Sequence, residues 1–166
     1  MDLSGRCLFP HRKGRIERKE TVDLKNYTGT YTPSFPISAR PMGEIAGYPV
    51  RPGYFEDFGA TLLPVGVNFT VHTHHGTSCE LLLFHKGEEE PYAVLPFPAS
   101  YKIGDVYSMI VFGLNIEEFE YAYRVDGPSN PREGLLFDRK KILLDPYARA
   151  VVGKHAWGEK LEGNYR

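Results

Sequence analysis

The densest group of side chains able to hold a metal is His72, His74 and His75. On a strand, His72 and His74 project from one face, and His85 from a neighbouring strand would make a third ligand. Two-residue spacing supplies only part of a zinc site. The plainer reading is a polar strand end running into the His74-His75-Gly76-Thr77-Ser78 turn. No metal or other cofactor is expected. Carboxylate chemistry fares no better. Glu88-Glu89-Glu90 lies between Gly87 and Pro91 and reads as a solvated turn, and Glu117, Glu118 and Glu120 border a strand. Glycoside hydrolysis needs two carboxyl groups on opposite sides of one bond, which neither run provides. G-x-S-x-G, H-E-x-x-H, C-x-x-C and P-loop patterns are absent. No catalytic residue is expected in this chain.

Aromatic side chains remain. Trp157, Tyr54, Phe55, Phe58, Tyr92, Tyr101, Tyr107 and Tyr121 exceed what one small core must absorb. Their rings suit the apolar faces of sugars, and Tyr and Trp add a hydrogen-bonding tip. Trp157 stands apart, because it lies in polar sequence beyond the regular part of the chain.

These residues need elements to position them, and the composition indicates which. The 166 residues include 17 Gly, 13 Pro, 11 Tyr and 10 Phe, a mixture that favours short strands and turns over helices. Val65, Val67, Phe69 and Val71 alternate with polar or small residues, the period of a half-buried strand. Residues 79–84 are apolar on both faces and read as a central strand. Residues 92–95, 105–112 and 119–125 complete the set, with Phe119, Tyr121, Tyr123 and Val125 on one face of the last. Five or six such strands predict an all-β, immunoglobulin-like β-sandwich with an irregular N-terminal extension and a C-terminal linker segment. The expected divisions are 1–47 for the extension, 48–135 for the sandwich and 136–166 for the linker. Residues 147–152 are open between a turn of helix and an extended piece.

Twenty basic residues against 21 acidic ones leave a formal charge of -1, which gives no footprint for nucleic acid. No run of 18 apolar residues is present to enter a membrane, and a secretory signal is not expected, since residues 1–20 hold no seven-residue apolar stretch. A cytoplasmic location is expected by elimination. Cys7 and Cys79 are too few for a disulfide framework. They read as two reduced thiols, with a single bridge as the alternative.

Four blocks stand in an order that resembles bacterial glycogen debranching enzymes and isoamylases. They are Gly59-Ala60-Thr61 with Gly66-Val67-Asn68-Phe69 and Val71, then Gly104-Asp105-Val106-Tyr107, then Tyr121-Ala122-Tyr123-Arg124-Val125-Asp126-Gly127-Pro128. Residues 134–150, with Lys141-Ile142-Leu143-Leu144-Asp145-Pro146-Tyr147-Ala148, are the fourth. The resemblance spans 54–152. It implies a family-48 carbohydrate-binding module ahead of a (β/α)8 barrel, whose Asp nucleophile and Glu acid would hydrolyse α-1,6 branches with retention. The chain departs from the family at Leu62 and at Tyr107-Ser108, where relatives carry Trp and Trp-His, and its wording at Leu136 and Asp138-Arg139 also differs.

The resemblance implies a non-catalytic module of a debranching hydrolase, with the catalytic domain of the same polypeptide and α-glucan as partners. On this reading Tyr107, Tyr121 and Trp157 are candidate stacking surfaces. Arg124 and Lys102 are candidate donors to sugar hydroxyls, and Leu144, Asp145 and Tyr147 a candidate interface with the barrel. The alternative is a β-sandwich protein–protein interaction domain unrelated to glucans, with residues 1–50 as its binding arm.

Overall fold

Closely spaced Gly and Pro interrupt every apolar run, and the chain folds as strands. The computed structural model describes residues 6–8 and 40–152. In chain order the strands are β1 (Arg6–Leu8), β2 (Gly43–Ile45), β3 (Tyr48–Pro52), β4 (Gly59–Leu63) and β5 (Gly66–His72). There follow β6 (Ser78–His85), β7 (Ala93–Pro96), β8 (Lys102–Ile103), β9 (Val106–Phe112) and β10 (Phe119–Asp126). The last are β11 (Ser129–Asn130), β12 (Leu135–Leu136) and β13 (Ala150–Val152). One sheet runs β13-β1-β10-β6-β7 and the other β2-β3-β9-β5-β4, with β8 paired to β9 and a small β11-β12 hairpin apart. All pairings are antiparallel. This is the expected immunoglobulin-like sandwich.

Alternation along the strands builds the core. Leu81, Leu83, Leu95, Phe119, Tyr121, Tyr123 and Val125 of one sheet meet Val67, Phe69, Val71, Tyr107, Met109 and Val111 of the other. Phe69 lies edge-on to Tyr121 at 5.3 Å between ring centroids, an arrangement that suits the ring quadrupoles. The doubly apolar β6 is interior to its sheet, as its sequence predicts: it pairs with β10 and β7. Its second face joins Leu82 and Phe84 to Ala122, with Val94 and Ile142 packed against them.

Three features differ from the sequence expectation. Asn68 and Thr70 on the polar face of β5 are not solvated, because residues 53–54 fold across them, while His72 at the strand end is exposed. Asn68 Oδ1 accepts from the Tyr54 N–H at 2.9 Å, and Asn68 Nδ2 donates to the Tyr54 carbonyl at 3.2 Å. Thr70 and Ser108 hydroxyls donate to the same carbonyl at 2.8 and 3.1 Å. Period two reports alternation of residue type, and buried polar side chains with partners satisfy it as well as solvated ones do. Second, β1 lies within the stretch assigned to the extension, yet it sits between β13 and β10 and buries Cys7 completely. Third, the stretch assigned to the linker is bonded into the sandwich. Tyr123 and Leu143 exchange backbone hydrogen bonds of 2.9 and 2.8 Å, and β13 pairs with β1. Residues 150–152 are therefore the extended alternative.

Candidate functional site

The sequence candidates separate once side-chain positions are known. Tyr107 and Tyr121 are each 2% exposed. Both stand on the inward face of their strands, so neither offers a ring to a ligand, and the expectation of stacking there is corrected. Lys102 donates from Nζ to the Gly76 carbonyl at 2.9 Å and lies 4.9 Å above the Tyr107 ring. Arg124 donates to Glu80 Oε2 at 3.3 Å, while Arg139 donates to Glu80 Oε1 at 2.6 Å. Both proposed donors are thus engaged within the fold. Trp157 lies outside the described residues.

Of the interface candidates, Leu144 packs against the core and Asp145 is 3% exposed. Asp145 Oδ2 accepts from the Tyr121 hydroxyl at 2.9 Å, and Oδ1 accepts from the Tyr147 N–H at 2.8 Å. Its own N–H donates to Cys7 Sγ at 3.3 Å. Burial raises the Asp145 carboxyl above its usual range, and the bonds from Tyr147 and Tyr121 oppose that rise. Desolvation pushes the Cys7 thiol up to about 11 and raises Cys79 further still. Both cysteines are free, buried thiols. This network anchors β1 and the 143–147 segment; Asp145 faces inward and is corrected as a surface contact.

Two aromatic pairs do reach the surface. Phe58 and Tyr147, 39% and 53% exposed, stack at 5.2 Å with their planes 23° apart. Gly59 allows this pair to form. It holds φ +86°, and a Cβ there would stand 2.9 Å from Tyr147 Cβ. Across the mouth of the β6–β7 hairpin, His85 and Tyr92 stack at 4.2 Å and 22°. Tyr92 is 37% exposed, and its hydroxyl bonds to that of Tyr48 on β3. Desolvation, with the Tyr48 bond and the nearby Glu118 carboxylate, holds the Tyr92 phenol in its neutral form. Phe58, Tyr92 and His85 were each visible in the sequence as residues. Their pairing was not, since each pair joins positions separated by a turn or by most of the sandwich.

His74 Nδ1 lies 2.8 Å from Asp105 Oδ2, a bond that lowers the Asp105 carboxyl pKa, and its ring rests against His75. Among the described residues no three His, Cys, Asp or Glu side chains converge as a metal site, and no helix is long and apolar enough to cross a membrane.

Comparison with known proteins adds the family. Residues 57–148 match the model for carbohydrate-binding module 48, described as the isoamylase N-terminal domain. The chain is 37% identical over 116 residues to a glycogen debranching enzyme of Serratia proteamaculans, covering 70% of this chain and 17% of that protein. It is 42% identical over 109 residues to a glycogen debranching enzyme of Cronobacter sakazakii, covering 65% and 15%. With the chloroplastic isoamylase SU1 of Zea mays it shares 33% identity over 109 residues, covering 63% and 14%. The chain therefore spans less than a fifth of the length of these relatives.

Proposed function

This chain belongs to the carbohydrate-binding module 48 family, and from that premise we propose that it is the non-catalytic module of an α-1,6-glucan debranching glycoside hydrolase. It packs on the catalytic barrel of the same polypeptide and binds glycogen or starch-type glucan weakly. The observation that carries the reading is the family match over 57–148, joined to relatives named as debranching enzymes and isoamylases. The buried Asp145 carboxyl is committed to Tyr121 and Tyr147, and the Ser108 hydroxyl to Thr70 and the Tyr54 carbonyl.

For packing on the barrel, the Phe58–Tyr147 pair is the apolar surface best placed, because it presents two stacked, part-exposed rings at one edge of the sandwich. Covering two half-exposed rings would contribute on the order of 1–3 kcal/mol to docking. Electrophoresis through gels with and without glycogen tests the glucan role, with retardation in the glycogen gel expected. Equal mobility in both gels would remove that role. Amide exchange at residues 58–60 and 145–148 tests the packing. It should slow when the barrel is present on the same polypeptide, and unchanged exchange would refute the docking edge.

A further inference from the structure

The two exposed aromatic pairs lie on opposite edges of the sandwich. Gly59 opens β4, the last strand of one sheet, and approaches Tyr147, which precedes β13, the last strand of the other. At the far side Tyr48 on β3 meets Tyr92, which precedes β7. A barrel docked at the first edge leaves the second open. We propose that the His85–Tyr92 pair, rimmed by the Tyr48 hydroxyl and the Glu118 carboxylate, is the subsite on which the module holds α-1,4-linked glucose residues. This assignment rests on the glucan-binding reading above and gives it a place.

The chemistry fits that ligand. A stacked ring that keeps one face in water can take the apolar face of a glucose ring, while phenol and carboxylate groups at its border exchange hydrogen bonds with hydroxyls. Glu118 is held for such a role, since its Oε1 accepts from Asn115 Nδ2 at 2.6 Å. The platform is also preorganised. His85 ends β6 in register with Phe119 of β10, and the Tyr92 N–H donates to the Leu83 carbonyl at 2.9 Å. The hairpin between them turns at Gly87, whose φ is +79° and whose N–H donates to Glu120 Oε1 at 3.3 Å. Rings fixed before binding lose little side-chain entropy on binding, and so favour a measurable affinity from a small contact.

The test is an NMR titration of the 166-residue chain with maltoheptaose, following backbone amides. In the wild type, shifts should concentrate at residues 85–92 and around 48 and 118. Tyr92→Ala should weaken binding about tenfold or more, Tyr92→Phe should retain most of it, and Tyr147→Ala should leave it unchanged. Amide dispersion shows directly that each variant is folded, and His85→Ala gives a second probe of the platform should Tyr92→Ala lose its fold. If Tyr147→Ala abolishes binding while Tyr92→Ala and His85→Ala do not, the subsite is wrong and the glucan reading survives. Wild-type chain that shows no shifts with maltoheptaose overturns the glucan reading, and the subsite with it.

Discussion

Removing one hydroxyl tests how the structure uses Tyr121. Tyr121→Phe keeps the ring against Phe69 but deletes the donor to Asp145 Oδ2, 2.9 Å away in a buried site. A hydrogen bond to a charged group contributes about 1.5–3 kcal/mol, so a loss of about 2 kcal/mol is expected near neutral pH. The pH dependence sharpens the test. Asp145 already titrates above its unfolded value of 3.8, and the Tyr121 bond is one of the contacts opposing that rise. Raising a carboxyl pKa in the folded state makes the native protein bind more protons than the unfolded chain between the two pKa values. Stability then falls as pH rises through that window. Deleting the Tyr121 donor widens the window upwards, so the variant's deficit should be largest near neutral pH. Below 3.8 both states are protonated and only a neutral hydrogen bond is lost, about 1 kcal/mol. Urea unfolding of wild type and variant across that range measures the deficit. Asp145→Asn in the same background should shrink it near neutral pH, since the charge is gone and the Tyr147 N–H retains an acceptor. A deficit below about 0.5 kcal/mol near neutrality, or one that grows on acidification, would refute the account of this network.

Two further outcomes follow from the same structure. Gly59→Ala should cost about 1–3 kcal/mol, because it places a side chain at φ +86° and against Tyr147 Cβ; thermal unfolding measures the loss. Cys7 and Cys79 should resist alkylation near neutral pH in the native chain and react on unfolding, since desolvation disfavours both thiolates. Rapid labelling of either thiol under native conditions would contradict the burial of β1 or β6.

Much of the sandwich was legible in the residues. Phe119, Tyr121, Tyr123 and Val125 share one face because successive strand side chains alternate, and they do line the core. The apolar run at 79–84 required cover on both faces, and β6 has it. The three-residue β1 was not legible, since Arg6-Cys7-Leu8 lacks the length for a periodic signal and gains its place by pairing with β13 and β10. The surface was harder still. Nothing in the sequence marks whether a Tyr ring packs into the core, as Tyr107 on β9 does, or reaches solvent, as Tyr147 in its turn does.

Local chemistry thus determined the kind of structure: Gly and Pro spacing excluded long helices, and alternation set which face of each long strand turns inward. The order of the blocks also pointed to the family, whose model matches residues 57–148. Register between distant strands decided the rest. It placed Asp145 beneath Tyr121, laid Tyr54 over Asn68 and Thr70, and sent Phe58–Tyr147 and His85–Tyr92 to opposite edges. Such meetings depend on which sheets stack and how they are ordered. That is a property of the whole packed chain, and no window of neighbouring residues contains it.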